Sequence, residues 1–221
     1  MVMSPCAEAA MGPVATMELK VSVKDQKLAL YYQGRPVRVY GVSTSKFGVG
    51  DDSRTYRTPV GKMAVVDKIG GGQPAGMVFK GRQATGEVLA ANAPGRDPIV
   101  SRILRLTGTE AKTGNVYDRC IYIHGTPEER NIGRPSSYGC IRMRSMDIID
   151  LYSRVSLGTQ VTVMAGSLPG EAKRLPEYVW RPAPKGGTAA PKPAGQGRAA
   201  IAGNSPFTGR LVPLSSARIL N

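Results

Sequence analysis

Short runs of alternating apolar and polar residues, separated by tight turns, most constrain what this chain can fold into. MELKVSV at 17–23 alternates, and the turn KDQK separates it from LALYYQ at 28–33. A second turn over residues 34–36, GRP, precedes VRVYGVST at 37–44. Alternation with a period of two is typical of half-buried strands, and turns this short join neighbouring antiparallel strands. The sequence therefore predicts a β-meander.

The same texture continues along the chain until one helical pattern interrupts it. Further strands are predicted after a turn at residues 58–61 and within the segments PIVSRILRLTG, DRCIYIHGT and GTQVTVM. SMDIIDLYSRV at 145–155 instead has the apolar spacing of a helix, with Ser145 as the expected N-cap. Many strands with one late helix predict a mainly β, α+β fold. Between residues 70 and 97 the pattern is lost in Gly, Ala and Pro, and we expect a flap over a substrate groove there.

Changes in composition divide the chain into three parts. Residues 1–16 have no complete signal-peptide pattern, although Ala7, Glu8 and Ala9 have the form of a cleavage site, so we expect a tail or a signal-peptide remnant. Residues 17–166 carry the strand patterns and form the predicted domain. Residues 167–221 are rich in Pro, Gly, Ala and basic residues, which predicts a flexible tail. No stretch has the roughly 18 apolar residues that a membrane-spanning helix needs.

The charge and the cysteines exclude several classes of protein. Thirty Lys and Arg against 16 Asp and Glu give a net charge of +14, which favours polyanionic surroundings such as nucleic acid or a cell-wall polymer. No DNA- or RNA-binding signature accompanies this charge, so no specific nucleic-acid partner is expected. Three cysteines at irregular spacing and one histidine predict neither a disulfide framework nor a metal site, and no cofactor is expected.

One histidine and one cysteine have the spacing and the surroundings of a catalytic pair. His124 ends a predicted strand, and Cys140 follows sixteen positions later in the stretch SYGCIRM. A cysteine becomes a strong nucleophile when a nearby base takes its proton, and a histidine can return that proton to a leaving amine. Gly139 allows a sharp turn, and the backbone N–H groups of Tyr138 and Gly139 are candidate oxyanion donors. By spacing alone, a coincidental pair with a packed core cysteine is the commoner case.

The residues themselves resemble those of the L,D-transpeptidase catalytic domain, the YkuD-like family. That family has a His-Gly, about fifteen residues, then Ser/Thr-His-Gly-Cys and often Ile-Arg-Met, and this chain has IHGT followed by SYGCIRM. The family's upstream Thr-Pro-x-Gly turn is matched by residues 58–61. The motifs extend over roughly residues 17–164. Tyr138 departs from the pattern, since the family most often has a histidine at this position.

The resemblance implies a β-sandwich fold and an enzyme of bacterial peptidoglycan in the cell envelope or periplasm. Cys140 would attack a diaminopimelate carbonyl in a tetrapeptide stem, and His124 would protonate the departing D-alanine. The acceptor would be a second stem amine, which gives a 3→3 cross-link, or an envelope protein's lysine. The substrate-binding candidates are Arg142, Ser137, Tyr122 and Gly125. Two alternatives stay open: an L,D-carboxypeptidase or amidase with the same site, and a non-catalytic wall-binding module.

Overall fold

The computed structural model describes residues 16–181 and shows a mainly β protein. It has ten strands and two α-helices within these residues: β1 Met17–Ser22, β2 Lys27–Tyr32, β3 Arg35–Gly41, β4 Gly61–Ile69, β5 Met77–Lys80, β6 Gln83–Val88, β7 Ile99–Gly108, β8 Tyr122–Gly125, β9 Ile141–Met143, α1 Ser145–Arg154, β10 Gln160–Met164 and α2 Gly170–Lys173. The predicted mainly β fold with a helix after Cys140 is confirmed.

Hydrogen bonds connect all ten strands in one mixed sheet. Its main path runs β3-β2-β1-β10-β4-β7-β5-β6. β1, β2 and β3 form the predicted antiparallel meander, and β1 also pairs in parallel with β10. β8 branches from β7, and β9 pairs in parallel with β8. The sequence from His124 to Cys140 thus runs between the two strands of a branch that begins at β7.

The main core packs strands from across this sheet against α1. Leu19, Leu28, Met63 and Leu104 are among the fully buried residues of the cluster, and Ile148 of α1 joins them. The predicted N-cap was wrong by one residue. Arg144 occupies that position, Ser145 is the first helical residue, and the Ser145 N–H donates to the Glu129 carboxylate at 2.8 Å. The carboxylate of Glu129, distant in sequence, therefore accepts a hydrogen bond from the start of the helix, and the N-cap side chain does not.

The aperiodic segment 70–97 contains a β-hairpin. β5 is mostly buried, whereas every residue of β6 is exposed. Arg82, in the turn between these strands, donates to the Tyr122 hydroxyl at 3.3 Å. The hairpin is therefore linked to the strand that carries His124, although its function as a flap is still a prediction.

The described chain continues in packed form beyond residue 166. Leu168 and Ala172 are buried against β2 and β3, and Tyr178 stacks edge-on against Tyr40 at 5.5 Å between ring centroids. The tails were predicted at residues 1–16 and 167–221, and of these only residue 16 and residues 167–181 lie within the described part of the chain. Within residues 16–181, no helix is long and apolar enough to cross a membrane.

Candidate active site

The parallel pairing of β8 and β9 brings the two predicted catalytic residues together. His124 lies opposite Arg142 in the register, and Cys140 directly precedes β9. Ile123 and Ile141, also paired, are fully buried on the other face. His124, Cys140 and Arg142 line one pocket of about 180 Å³, and the rest of its lining is Asp97, Ile99, Ser137 and Tyr138. The pairing of two short strands thus joins residues sixteen positions apart.

The Cys140 thiol is a protonated, partly buried group. Burial raises its pKa to about 11, although a backbone hydrogen bond at Tyr122 and the charge of Arg142 act in the opposite direction. The thiol donates to the Cys120 carbonyl oxygen at 3.5 Å. Cys120 and Cys140 are both free thiols. Cys140 therefore needs a base at the moment of reaction.

His124 is a buried, neutral imidazole, and one of its two ring nitrogens already makes a hydrogen bond. Burial and the nearby charge of Arg142 lower its pKa to about 4, and the hydrogen bond to Gly125 only partly offsets them. Its Nδ1 is 2.8 Å from the Gly125 carbonyl oxygen, so in the neutral ring Nδ1 carries the hydrogen and donates it. Nε2 then has a free lone pair. One pocket thus contains a neutral imidazole and a neutral thiol.

The turn before Cys140 is fixed by hydrogen bonds and by a glycine conformation. Gly139 has φ of +120°, which side-chain-bearing residues rarely adopt. The Ser137 hydroxyl donates to the Cys140 carbonyl oxygen at 2.6 Å and accepts from the Gly139 N–H at 3.2 Å. The buried Thr58 hydroxyl donates to the Gly139 carbonyl oxygen at 3.0 Å. Together these bonds hold the backbone on either side of the thiol.

The predicted oxyanion donors differ in their present bonding. The Gly139 N–H already donates to Ser137, as described above. The backbone N–H groups of Tyr138 and Cys140 flank it, and they are the better candidates to bind an oxyanion. The Tyr138 side chain is 55% exposed and lines the pocket, so its ring is in reach of a bound ligand.

Arg142 is an ion-paired residue. Its guanidinium donates to Asp97 at 2.6 Å and lies 3.7 Å from Glu128. A further bond joins it to the Ser136 hydroxyl at 3.4 Å. Any substrate carboxylate at Arg142 would therefore have to compete with Asp97. Its positive charge still acts on both His124 and Cys140.

Tyr122 and Gly125, the other predicted substrate contacts, are packed against neighbouring residues. Tyr122 is buried in a cluster with Phe79 and Ile103. A Cβ on Gly125 would lie 2.5 Å from the Val100 carbonyl oxygen, so no larger residue fits there. Neither residue lines the pocket at Cys140, and their contact with substrate is still a prediction.

Several residues around Tyr138 and Arg142 escaped the sequence interpretation. Asp97 and Glu128 come from two separate loops, and Lys46 follows β3. No local motif marks them, because only the tertiary fold brings these loops to the end of β9. Thr58 carried a signal, since it begins the Thr-Pro-x-Gly turn, but its bond to Gly139 was not predictable from that turn.

Comparisons with known proteins identify the family of this chain. The model of the L,D-transpeptidase catalytic domain, YkuD, matches residues 17–163. Probable L,D-transpeptidase YcfS of Escherichia coli K12 is 33% identical over 167 residues, which are 69% of this chain and 49% of that protein. The chain thus spans about half the length of this curated relative.

Solved structures of two mycobacterial enzymes are also similar. An L,D-transpeptidase from Mycobacterium smegmatis has 18% identity and a TM-score of 0.45, with 68% of this chain and 59% of that chain covered. An L,D-transpeptidase from Mycobacterium tuberculosis H37Rv has the same identity and TM-score, over 68% and 58%. The family model and the Escherichia coli relative carry the assignment: this chain belongs to the L,D-transpeptidase catalytic-domain family.

Proposed function

We propose that this protein is a peptidoglycan L,D-transpeptidase that forms 3→3 cross-links through a thioester on Cys140. The observation that carries the proposal is the meeting of Cys140 and His124 in one pocket of a chain that belongs to this family. A thiol and an imidazole that can act as its base, in the same pocket, suit acyl transfer through a cysteine.

In the first half-reaction the donor is a tetrapeptide stem with a C-terminal D-alanine. His124 Nε2 takes the thiol proton as Cys140 Sγ attacks the carbonyl carbon at the L-centre of diaminopimelate. The C–S bond forms, and the carbonyl electron pair moves to oxygen. When this pair returns, the C–N bond to D-alanine breaks and the imidazolium gives its proton to the departing amine. The products are a thioester and free D-alanine.

In the second half-reaction an amine of another stem takes up the acyl group. The neutral amine attacks the thioester carbon, and His124 accepts the proton that the nitrogen loses. A C–N bond forms, the C–S bond breaks, and the imidazolium returns the proton to the Cys140 thiolate. Backbone N–H groups at Tyr138 and Cys140 are suited to stabilise the oxyanion in both halves, because they flank the fixed Gly139 turn.

The cell envelope is the site of action that this proposal requires. Stem peptides lie outside the cytoplasm, and the net charge of +14 favours adsorption to an anionic wall. An envelope protein's lysine is a chemically equivalent acceptor, since it presents the same primary amine.

The experiment is mass spectrometry of purified tetrapeptide muropeptides incubated with the protein and with Cys140→Ala. The proposal predicts loss of D-alanine and formation of tetrapeptide–tripeptide dimers, both of them dependent on Cys140. Loss of D-alanine without dimers would instead identify an L,D-carboxypeptidase. No reaction by the folded protein would favour a wall-binding module.

A further inference from the structure

A second, charged pocket of about 470 Å³ adjoins the pocket of the nucleophile. The two share Asp97, Tyr138 and Arg142, while Lys46 and Glu128 line only the charged one. Neither Cys140 nor His124 lines it. A group bound there lies beside the reacting atoms without touching them.

The charges in this pocket are unequally paired. Asp97 makes the short ion pair with Arg142, at 2.6 Å, and also accepts a hydrogen bond from Thr126. Glu128 lies farther from Arg142, at 3.7 Å, and its side chain is 30% exposed. Asp97 therefore neutralises most of the arginine charge. Glu128 Oε2 also accepts a hydrogen bond from the Asn131 amide at 2.7 Å, which leaves Oε1 of Glu128 to accept an ammonium group.

Lys46 is the unpaired cation of the pocket. Among residues 16–181, no carboxylate oxygen lies within 4.0 Å of its Nζ. Nζ instead donates to the Tyr138 hydroxyl at 3.0 Å and lies 4.4 Å from the centroid of the Tyr138 ring. Phe47 and Tyr56 pack on Tyr138, at 5.6 Å between ring centroids in each case. This aromatic group holds an exposed ammonium at the edge of the pocket.

One cation without a counter-ion and one weakly paired carboxylate complement a zwitterion. We propose that the charged pocket binds the amino-acid end of the diaminopimelate side chain in the donor stem, with its carboxylate at Lys46 and its ammonium at Glu128. This rests on the proposed function, because it assigns a subsite for that substrate. Tyr138, which replaces the family's usual histidine, acquires a specific role as the support of Lys46.

The position of the pocket favours the donor over the acceptor. An acceptor amine has to reach the thioester carbon, and the charged pocket lacks both Cys140 and His124. The donor side chain branches from the carbon next to the attacked carbonyl and ends several bonds away. Its end group can therefore occupy a neighbouring pocket while the carbonyl meets the thiol.

The test compares three tetrapeptide donors that differ only at the third residue. One has meso-diaminopimelate, the second has its side-chain carboxylate amidated, and the third has L-lysine. The rate of acyl-enzyme formation is measured by intact-protein mass spectrometry for the wild type, Lys46→Met and Lys46→Arg. We expect a preference of about three- to fivefold for the free carboxylate, as an exposed ion pair provides. Lys46→Met abolishes it, Lys46→Arg restores it, and high salt weakens it.

A binding measurement separates this inference from the proposed function. Isothermal titration of the same peptides into Cys140→Ala needs no acylation, and the preference should again disappear when Lys46→Met is added. Lys173→Met, at an exposed lysine of α2 with the same charge change, is the control and keeps the preference. A preference that survives Lys46→Met, or an effect of Lys46→Met confined to acceptor use, overturns the inference. Lys46-dependent binding without acylation overturns the proposed function alone.

Discussion

At the scale of single residues, the resting site holds a neutral thiol and a neutral imidazole. Burial lowers the pKa of His124 to about 4 and raises the pKa of Cys140 to about 11. At a pH between these two pKa values neither group is charged, so the site contains no thiolate–imidazolium pair before substrate binds. Proton transfer has to accompany attack, and the rate then depends on how well the substrate carbonyl is placed.

The pH dependence of Cys140 alkylation tests this protonation state. Iodoacetamide reacts with the thiolate, so the rate should rise about tenfold per pH unit from pH 7 to pH 10 and level off near pH 11. The measurement uses Cys6→Ser/Cys120→Ser, in which Cys140 is the only thiol. A rate that is already at its plateau at pH 7, as in a preformed ion pair, would contradict the assignment.

Gly139→Ala should damage the turn that carries the nucleophile. At φ of +120° an alanine costs about 1–3 kcal/mol, and its Cβ would lie 3.3 Å from the Arg57 carbonyl oxygen. We expect a lower free energy of unfolding in urea and a loss of acylation. Gly158→Ala is the control, since it also has a positive φ, of +81°, but has open space around it. Equal acylation by the two variants would argue against a special role of the Gly139 turn.

The sequence predicted Cys140 and His124 because the residues around them, IHGT and SYGCIRM, resemble the motifs of a known family. The structure places both in one pocket. Lys46, Asp97 and Glu128 were not predictable, because each is an ordinary charged residue in a loop. Their meeting depends on pairings over long sequence separations, which no local pattern encodes.

At the scale of elements, the Thr-Pro-x-Gly turn connects two distant loops. The Thr58 hydroxyl accepts from the Ser45 N–H at 2.9 Å and donates to the Gly139 carbonyl oxygen at 3.0 Å. The turn before β4 thus holds both the segment after β3 and the turn before Cys140. This one hydroxyl thus links two segments that flank the site.

Thr58→Val should loosen that connection. Valine fills the same space but leaves a buried N–H and a buried carbonyl unpaired, which costs about 1–3 kcal/mol. Urea unfolding measures the cost, and the acylation rate reports the displacement of Gly139. Thr162→Val, at a half-buried strand position of β10, should change the unfolding free energy by no more than about 0.5 kcal/mol. A cost at Thr58 no greater than at Thr162 would contradict the role of the hydroxyl.

A buried ion pair fixes the loop that carries Tyr56. Arg119 and Asp51 are 2.8 Å apart with side chains only 8% exposed, and Arg119 also donates to the carbonyl oxygens of Thr55 and Arg57. Arg119→Met leaves a buried carboxylate unpaired, and we expect a cost of roughly 3–5 kcal/mol in urea unfolding. Arg119→Met/Asp51→Asn should cost less than the single change. A double variant that is less stable than Arg119→Met would contradict this account.

Strands with a clear alternation of apolar and polar residues were predicted from the sequence, and strands without this alternation were missed. β1 to β3 and β7 have strong apolar patterns, and their positions agree with the sequence interpretation within a few residues. β5 and β6 lie in a Gly-rich segment, and β6 is exposed on both sides, so neither period nor burial marks it. The predicted strand at 118–126 begins only at Tyr122, because Cys120 adopts a φ of +54°.

At the scale of the whole molecule, the sheet order could not be predicted from local patterns. β1 pairs with β10 and β4 pairs with β7, which are contacts across long stretches of chain. The fold class could be predicted from the number and type of the elements alone. The order of the strands in the sheet depends instead on which surfaces of the strands pack together best. The family resemblance was a separate source of information on the fold, and the family match over residues 17–163 confirmed that resemblance.

The most direct test of the central claim is the mass and location of the acyl adduct. The protein is incubated with a tetrapeptide donor, and intact mass spectrometry is followed by peptide mapping. We predict an added tripeptide acyl group, labile to hydroxylamine, on the peptide that contains Cys140. It should form in Cys120→Ala and be absent in Cys140→Ala. An adduct on Cys120, or one that persists in Cys140→Ala, would show that Cys140 is not the nucleophile.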